Sequence, residues 1–92
     1  MPEQPLTTLV YTTNFCGYCV RAKRLLESRG FPYEEVSVAN DNAARMELMQ
    51  RTGWRTLPQI FVGDTFVGGA DELSALDRSG KLAEMVLGGA TS

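Results

Sequence analysis

One stretch of the sequence decides the fold, residues 9–19: Leu9-Val10-Tyr11-Thr12-Thr13-Asn14-Phe15-Cys16-Gly17-Tyr18-Cys19. It begins in a short apolar, β-prone run within Leu6–Thr12 and then passes through a turn. From Tyr18 to Arg29 apolar residues recur at helical spacing, and Gly30 and Pro32 are residues that end a helix. The sequence therefore predicts a strand, a turn and a helix, with two cysteines at the junction.

The remaining elements are predicted from the same kinds of pattern. Val36 and Val38 are expected on one face of the second strand, and Asp41 is expected to cap the second helix. A hairpin turn is predicted at Gly63-Asp64. The other predicted strands are Tyr33–Val38, Gln59–Val62 and Thr65–Val67, and the other predicted helices are Asn42–Thr52, Ala70–Ser79 and Lys81–Leu87.

The order of these elements, β-α-β-α-β-β-α-α, predicts an α/β fold. The first strand–helix–strand unit gives a parallel pair, and the later hairpin adds antiparallel strands. We therefore expect a mixed four-stranded sheet flanked by helices. One domain is predicted over residues 1–92, with a core from about residue 6 to residue 87 and flexible ends.

Composition excludes several classes of protein. The chain has 92 residues, of which 43% are hydrophobic and 22% charged, and its net charge is −2. This near-neutral balance argues against nucleic-acid binding through bulk charge. No apolar run approaches the length of a bilayer span, and the N-terminal residues lack the pattern of a signal peptide. We expect a cytoplasmic protein without nucleic-acid or membrane partners.

Two cysteines and no histidine narrow the chemistry. Without histidine the chain cannot form a Cys–His or Ser–His–Asp hydrolase site, and two thiolates cannot complete a four-thiolate metal site. A disulfide between Cys16 and Cys19 would close too small a loop to stabilise the fold much. For C-x-x-C alone, redox function, metal binding and ordinary core packing remain open, and the strand–turn–helix context favours redox function.

The two cysteines are predicted to have different roles. Cys16 lies at or just before the start of the helix, where free N–H groups and the helix dipole favour the nucleophilic thiolate. Cys19 faces the buried side. We expect Cys16 to attack a disulfide sulfur and form a mixed disulfide. Either Cys19 or an external thiol then resolves it.

Two further segments each have a structural and a functional interpretation. In Thr56-Leu57-Pro58, the proline either marks the start of a strand or is a cis proline set against the cysteines. In the second case the Leu57 backbone would face an extended ligand. The segment Gly68-Gly69-Ala70-Asp71 is either a turn with Asp71 as N-cap, or a site for a carboxylate and an ammonium group.

Arg51 and Arg55 flank the loop before the proline segment. Charged loop residues are usually just solvated, but this pair could instead bind the carboxylate of an anionic thiol. Trp54 lies between them and receives no role from the sequence.

Together these segments resemble the glutaredoxin family, a dithiol type of the thioredoxin fold. The resemblance runs from about Leu6 to Val86 and rests on three matched segments: Cys16-Gly17-Tyr18-Cys19, Thr56-Leu57-Pro58-Gln59-Ile60-Phe61 and Gly68-Gly69-Ala70-Asp71-Glu72-Leu73. It implies a glutathione-dependent oxidoreductase that reduces protein–glutathione mixed disulfides and small disulfides, with Cys16 as nucleophile and Cys19 as resolving thiol. Glutathione is then the co-substrate.

The resemblance also implies a glutathione groove. Tyr18 would line it, the backbone of residues 56–58 would pair with the cysteinyl residue, and Arg51 or Arg55 would receive the glycine carboxylate. The complete set of implied glutathione-binding residues is Tyr18, Arg51, Arg55, Thr56, Leu57, Pro58, Gly69, Ala70 and Asp71, of which the last three receive the γ-glutamyl end.

The chain departs from the family pattern at two positions. Many members have lysine where this chain has Thr13, and cysteine where it has Ala70. Two alternative functions also remain. Some relatives with glycine after the first cysteine, here Gly17, hold a [2Fe–2S] cluster between two protomers through that cysteine and two glutathiones, so Cys16 is the alternative cluster ligand. The chain would then dimerise, whereas a monomer is expected otherwise. The second alternative is a redoxin reduced by a flavoprotein reductase.

Overall fold

The computed structural model describes residues 5–88 and contains the eight elements in the predicted order. The first helix begins at Gly17, one residue earlier than predicted, and the fourth strand continues to Gly68. The elements are β1 (Thr8–Thr12), α1 (Gly17–Arg29), β2 (Tyr33–Ser37), α2 (Asn42–Thr52), β3 (Gln59–Val62), β4 (Thr65–Gly68), α3 (Ala70–Arg78) and α4 (Lys81–Leu87). No helix within residues 5–88 is both long and apolar enough to cross a membrane.

The four strands form one mixed sheet in the order β2-β1-β3-β4. β1 pairs with β2 in parallel, whereas the β1–β3 and β3–β4 pairs are antiparallel. The prediction of a mixed four-stranded sheet flanked by helices is confirmed. β1 is central, so the turn that carries the cysteines leaves the sheet from an interior strand.

The core lies between the sheet and helices α1, α3 and α4. Val10 and Ile60 from the central strands have no exposed surface. They pack in one cluster of buried side chains with Ala22, Leu26, Val62, Ala70, Leu73, Leu82 and Val86. Burying each large aliphatic side chain contributes about 1.5–3 kcal/mol. This cluster fixes α1 and α3 against the same face of the sheet, with their N-termini bearing the cysteines and the paired glycines.

The second strand differs from its prediction in burial. Val38 is 3% exposed and donates its N–H to the Thr12 carbonyl oxygen, but Val36 is 37% exposed. β2 is an edge strand, and all of its residues are at least partly exposed. The predicted strand Tyr33–Val38 is one residue too long: β2 ends at Ser37, so Val38 lies beyond the strand and the two valines differ in burial.

Residues predicted to end or cap the helices do so, with one exception. Gly30 follows α1 with a φ of 70°, and the Asp41 carboxylate accepts the N–H of Ala44 at 3.0 Å at the start of α2. The N-cap of α3 is Gly69 and not Asp71. Its N–H donates to the Glu72 carboxylate at 2.9 Å, so the glutamate three residues later satisfies the first free donor.

A row of aromatic rings crosses the sheet on the face away from the main core. Each ring contacts the next along the row Tyr11, Phe61, Phe66 and Trp54, with ring centroids 5.1–5.8 Å apart. The row ends at Gly68, whose φ is 114°. A Cβ atom there would lie 2.9 Å from Glu72 Cγ and 3.3 Å from the Trp54 ring. Glycine at this position therefore allows both the capping glutamate and the indole to approach the backbone.

Gly68→Ala is expected to lower the free energy of unfolding by about 1–3 kcal/mol, because the added methyl group meets both neighbours in a backbone conformation that favours glycine. Urea unfolding measures the change. Gly17→Ala is the matched control, since a Cβ at Gly17 meets nothing within 4 Å. Equal unfolding free energies for Gly68→Ala and wild type would contradict the close packing described here.

A polar cluster joins β1, β2 and α1 just below the cysteine-bearing turn. The hydroxyl of buried Thr12 donates to Glu35 Oε2 at 2.8 Å, and Lys23 Nζ donates to Glu35 Oε1 at 3.0 Å. The Thr12 hydrogen bond first, and the Lys23 ammonium second, hold the pKa of Glu35 below its ordinary value of 4.5. The ionised carboxylate therefore stabilises the fold at neutral pH.

This stabilisation has a defined pH dependence. Because the pKa of Glu35 is lower in the folded than in the unfolded chain, its contribution is complete above about pH 4.5 and is lost as pH falls through the folded value. Glu35→Gln should therefore destabilise the protein at pH 7 and have a smaller effect at pH 3. Thermal unfolding at both pH values measures this, with Glu34→Gln as the control on the same strand. The same loss for Glu35→Gln at both pH values would contradict the prediction.

Candidate active site

Cys16 is the N-cap residue of α1. Its Sγ accepts a hydrogen bond from the Cys19 N–H at 3.1 Å, the position that a serine or aspartate oxygen takes in an ordinary N-cap. Cys16 is partly exposed, whereas Cys19 is 2% exposed and lies on the buried face of the helix. The predicted asymmetry between an accessible and a buried cysteine agrees with this geometry.

The two cysteines form a disulfide, with Cα atoms 5.2 Å apart. This separation lies within the range that a disulfide requires. In the reduced protein the Cys16 sulfur would lie at the positive end of the α1 dipole. The Cys19 backbone N–H is already directed at that sulfur.

The loop before β3 packs against Cys16. The Leu57–Pro58 peptide bond is cis, which confirms the second interpretation of this proline. The Leu57 carbonyl oxygen lies 3.8 Å from Cys16 Sγ. Within residues 5–88 the Leu57 N–H has no hydrogen-bond partner. An unpaired backbone donor beside the reactive sulfur can bind an extended ligand as one strand pairs with another.

A buried polar network holds this loop in place. Gln59 is 1% exposed and donates its Nε2 to the Trp54 carbonyl oxygen at 2.7 Å. The Thr52 hydroxyl donates to Gln59 Oε1 at 2.8 Å and accepts the Trp54 N–H at 3.1 Å. Buried polar groups that satisfy one another in this way fix a unique geometry. The network therefore positions residues 54–58 relative to the cysteines.

A groove of about 300 Å³ opens between this loop and the N-termini of α1 and α3. The structure brings most of the predicted glutathione-binding residues together there, and adds Trp54 and Glu72. The lining residues are Tyr18, Trp54, Thr56, Leu57, Pro58, Gly69, Ala70, Asp71 and Glu72. The only sequence signal for Trp54 is its place two residues before Thr56, and the only one for Glu72 is its place in the third matched segment.

An ion pair crosses one end of the groove. Arg21 Nη2 donates to Asp71 Oδ1 at 2.8 Å, and the Arg21 guanidinium lies 5.4 Å from the centre of the Tyr18 ring. The pair joins α1 to α3, and both side chains remain more than half exposed. An exposed pair of this kind contributes only about 0.2–1 kcal/mol, so a ligand can displace it. Asp71 is therefore available to an external cation.

The predicted arginines lie outside the groove. The Arg51 guanidinium is 5.4 Å from the centre of the Phe61 ring, in the aromatic row on the sheet. Arg55 borders a separate shallow depression beside Arg45 and the far side of Leu57. Neither side chain lines the groove, so the assignment of a glycine carboxylate to one of them stays a prediction.

Other parts of the molecule carry fewer functional features than the groove beside Cys16. A larger groove of about 550 Å³ between β4, α3 and α4 contains no cysteine and no residue of the loop that packs on Cys16. Among residues 5–88 no group of three or more His, Cys, Asp or Glu side chains is placed to hold a metal ion. For a shared [2Fe–2S] cluster the chain would supply Cys16, and that alternative stays a prediction.

Comparison with known proteins gives a consistent result. The sequence model of the glutaredoxin family matches residues 8–67. A glutaredoxin of Pseudomonas aeruginosa is 46% identical over 74 residues, which covers 80% of this chain and 88% of that protein. The solution structure of glutaredoxin from Brucella melitensis aligns over 100% of both chains, with a TM-score of 0.86 and 37% identity.

A further solved structure, the buckwheat glutaredoxin–glutathione complex, has a TM-score of 0.82 and 34% identity, and the match covers 86% of this chain and 74% of that one. The cysteine pair at the start of α1, the cis proline beside it and the paired glycines before α3 agree with these matches. The fold is thioredoxin-like, and the chain belongs to the glutaredoxin family, whose members are generally thiol–disulfide oxidoreductases.

Proposed function

We propose that this chain is a glutathione-dependent oxidoreductase that reduces protein–glutathione mixed disulfides and small disulfides. Cys16 is the nucleophile and Cys19 the resolving thiol. The observation that carries the proposal is the position of the Cys16 sulfur: it accepts the Cys19 N–H at the start of α1 and lies beside the groove, while the Cys19 side chain is buried. That arrangement favours a thiolate at the accessible cysteine only.

The reaction with a glutathionylated protein takes two thiol–disulfide exchanges. The Cys16 thiolate attacks the glutathione sulfur, so that a Cys16–glutathione disulfide forms, the original S–S bond breaks, and the protein thiolate leaves and takes a proton from water. A second glutathione thiolate then attacks the glutathione sulfur of this mixed disulfide. Glutathione disulfide is released and the Cys16 thiolate is restored.

A disulfide substrate takes a different second step. Cys19 loses its proton and attacks Cys16 Sγ, which releases the second substrate thiol and leaves the Cys16–Cys19 disulfide. Two glutathione molecules reduce that disulfide and leave as one glutathione disulfide. The short distance between the cysteines supports this route, with Cα atoms 5.2 Å apart.

The groove is proposed to hold the glutathione moiety. Its cysteinyl backbone pairs with Leu57, whose N–H is unpaired within residues 5–88. Its γ-glutamyl carboxylate meets the N–H groups at the start of α3, and its ammonium group meets Asp71. The glycine carboxylate is assigned to Arg51 or Arg55. The buckwheat relative in complex with glutathione supports a glutathione-binding role for this fold.

We place the activity in the cytoplasm, in a monomer that acts on glutathionylated and disulfide-containing proteins. A dithiol pair that glutathione must re-reduce needs a compartment rich in reduced thiols. One domain of residues 1–92 carries the whole proposed activity.

Substitution of each cysteine tests the two roles. Cys16→Ser should abolish reduction of a glutathionylated peptide, because it removes the attacking sulfur. Cys19→Ser should retain this activity but lose most reduction of small disulfides, which needs the second thiol. A glutathione-coupled assay measures both, and mass spectrometry should find one glutathione on Cys16 in the Cys19→Ser protein. Full activity of Cys16→Ser would refute the nucleophile assignment, and equal loss of both activities in Cys19→Ser would refute the monothiol route.

The Arg21–Asp71 pair gives two opposite expectations. Asp71→Asn should raise the KM for a glutathione mixed disulfide about fivefold, since an exposed charge pair is worth up to about 1 kcal/mol. Arg21→Gln should lower that KM, because it removes the side chain that competes for Asp71. The kcat should change little in either variant.

Arg24→Gln is the control for the lost positive charge, since Arg24 is an exposed α1 residue for which no ion pair is found within residues 5–88. A higher KM for Arg21→Gln would mean that Arg21 binds the substrate, and an unchanged KM for Asp71→Asn would remove Asp71 from the glutathione site.

A further inference from the structure

Phe15, the residue before the nucleophile, is the most exposed of the large apolar side chains in residues 5–88. Its relative exposure is 105%, so its ring contacts almost nothing. Its φ of 53° is also the only positive value at a non-glycine residue in this part of the chain. A left-handed backbone is costly for a bulky residue, and no contact of the ring offsets that cost. Features of this kind concentrate at functional sites.

Two neighbours extend the exposed apolar surface around Cys16. Tyr18 is 57% exposed and Val20 is 42% exposed. The other exposed large apolar side chains are dispersed over β2, α2 and the end of α4, at Val36, Met46 and Leu87. Dispersed apolar residues are normal on a protein surface, but a group of them beside a reactive sulfur indicates a contact surface. Phe15, Tyr18 and Val20 are called the Phe15 patch below.

The chemistry requires that a substrate protein approaches this patch. When Cys16 attacks a protein–glutathione disulfide, the cysteine sulfur of the protein lies two S–S distances from Cys16 Sγ, about 4 Å. The Cα atoms of the residues on either side of that cysteine are each about 3.8 Å from its own Cα atom. Phe15 is equally close to Cys16 in its own chain. A side chain next to the modified cysteine is therefore within reach of the Phe15 ring.

The surroundings of the patch favour an apolar partner. The Arg21 guanidinium, which lies over the Tyr18 ring of the patch, is paired with Asp71, and the Phe15 and Val20 side chains offer no polar group. A charged side chain placed against Phe15 would lose water without gaining a partner, whereas an apolar side chain would be removed from water favourably. The enzyme should therefore prefer substrates in which an apolar residue flanks the modified cysteine.

Resting on the proposed function, we propose that the Phe15 patch is a docking surface for the polypeptide of glutathionylated proteins, and that it selects substrates with an apolar residue next to the modified cysteine. The groove binds the glutathione half of the mixed disulfide and the patch binds the protein half, with Tyr18 at the border and belonging to both. Phe15 is thus a specificity residue and takes no part in bond exchange.

Three glutathione mixed disulfides test the proposal. Two are peptides that differ only in having leucine or aspartate next to the glutathionylated cysteine, and the third is the mixed disulfide of glutathione with 2-mercaptoethanol. Wild type should reduce the leucine peptide with a kcat/KM about three- to tenfold above that of the aspartate peptide. Phe15→Asn should abolish this ratio without changing the rate on the small mixed disulfide, and Phe15→Leu should retain the ratio.

The variants are suited to the site. Asparagine tolerates a left-handed backbone, so Phe15→Asn should unfold at the same temperature as wild type or higher. Leu87→Ser is the matched control: it removes another exposed apolar side chain, 56% exposed. The neighbouring Val86 carbonyl oxygen accepts the N–H of Leu6, at the opposite end of β1 from the cysteines. This variant should leave the peptide ratio unchanged.

Several results would overturn the docking role. They are a wild-type ratio near one, a ratio that persists in Phe15→Asn, and an equal loss by Phe15→Asn on the small mixed disulfide, which would place Phe15 in the geometry of Cys16. A dimer that Phe15→Asn dissociates would show that a second copy covers the patch. A wild-type chain that reduces none of the three disulfides would instead refute the proposed function, and the docking role with it.

Discussion

The structure depends on one hydrogen bond, the N-cap of α1, in which a cysteine sulfur takes the place of the usual side-chain oxygen. Cys16 Sγ accepts the Cys19 N–H at 3.1 Å, and in the proposed mechanism the hydrogen bond that starts α1 would also stabilise negative charge on the reduced sulfur. Folding and reactivity therefore use the same contact. Because α1 packs through Ala22 and Leu26 on the central strands, the sulfur is fixed beyond the C-terminal end of β1.

The groove is formed where two helix N-termini meet a loop that cannot move freely. Helices α1 and α3 lie side by side and are joined at both ends, by Arg21–Asp71 beside the groove and by Arg29–Asp77 at the far end. The buried Gln59 holds the loop on the third side. Two positive helix ends and unpaired backbone donors thus face one cavity, an arrangement suited to an anionic, peptide-like ligand.

Much of this arrangement could be predicted from the sequence, because its signals are local. Strand and helix limits follow from apolar spacing, and the reactive position of Cys16 follows from its place before α1. Contacts between distant segments have no such signal. The Trp54 ring lines the groove and packs on Phe66 of β4, a contact that joins the loop before β3 to a later strand. Val36 is exposed because β2 is an edge strand, which alternation along the strand does not reveal.

The central claim is that the cap makes Cys16 far more reactive than Cys19. Its most direct test is alkylation of the reduced protein with iodoacetamide at pH 7, followed by peptide mass spectrometry, with the unfolded protein in urea as the reference. The account predicts that Cys16 is alkylated at least about tenfold faster than Cys19 in the folded protein, and that the two rates converge on unfolding. Equal rates in the folded protein, or faster alkylation of Cys19, would contradict it.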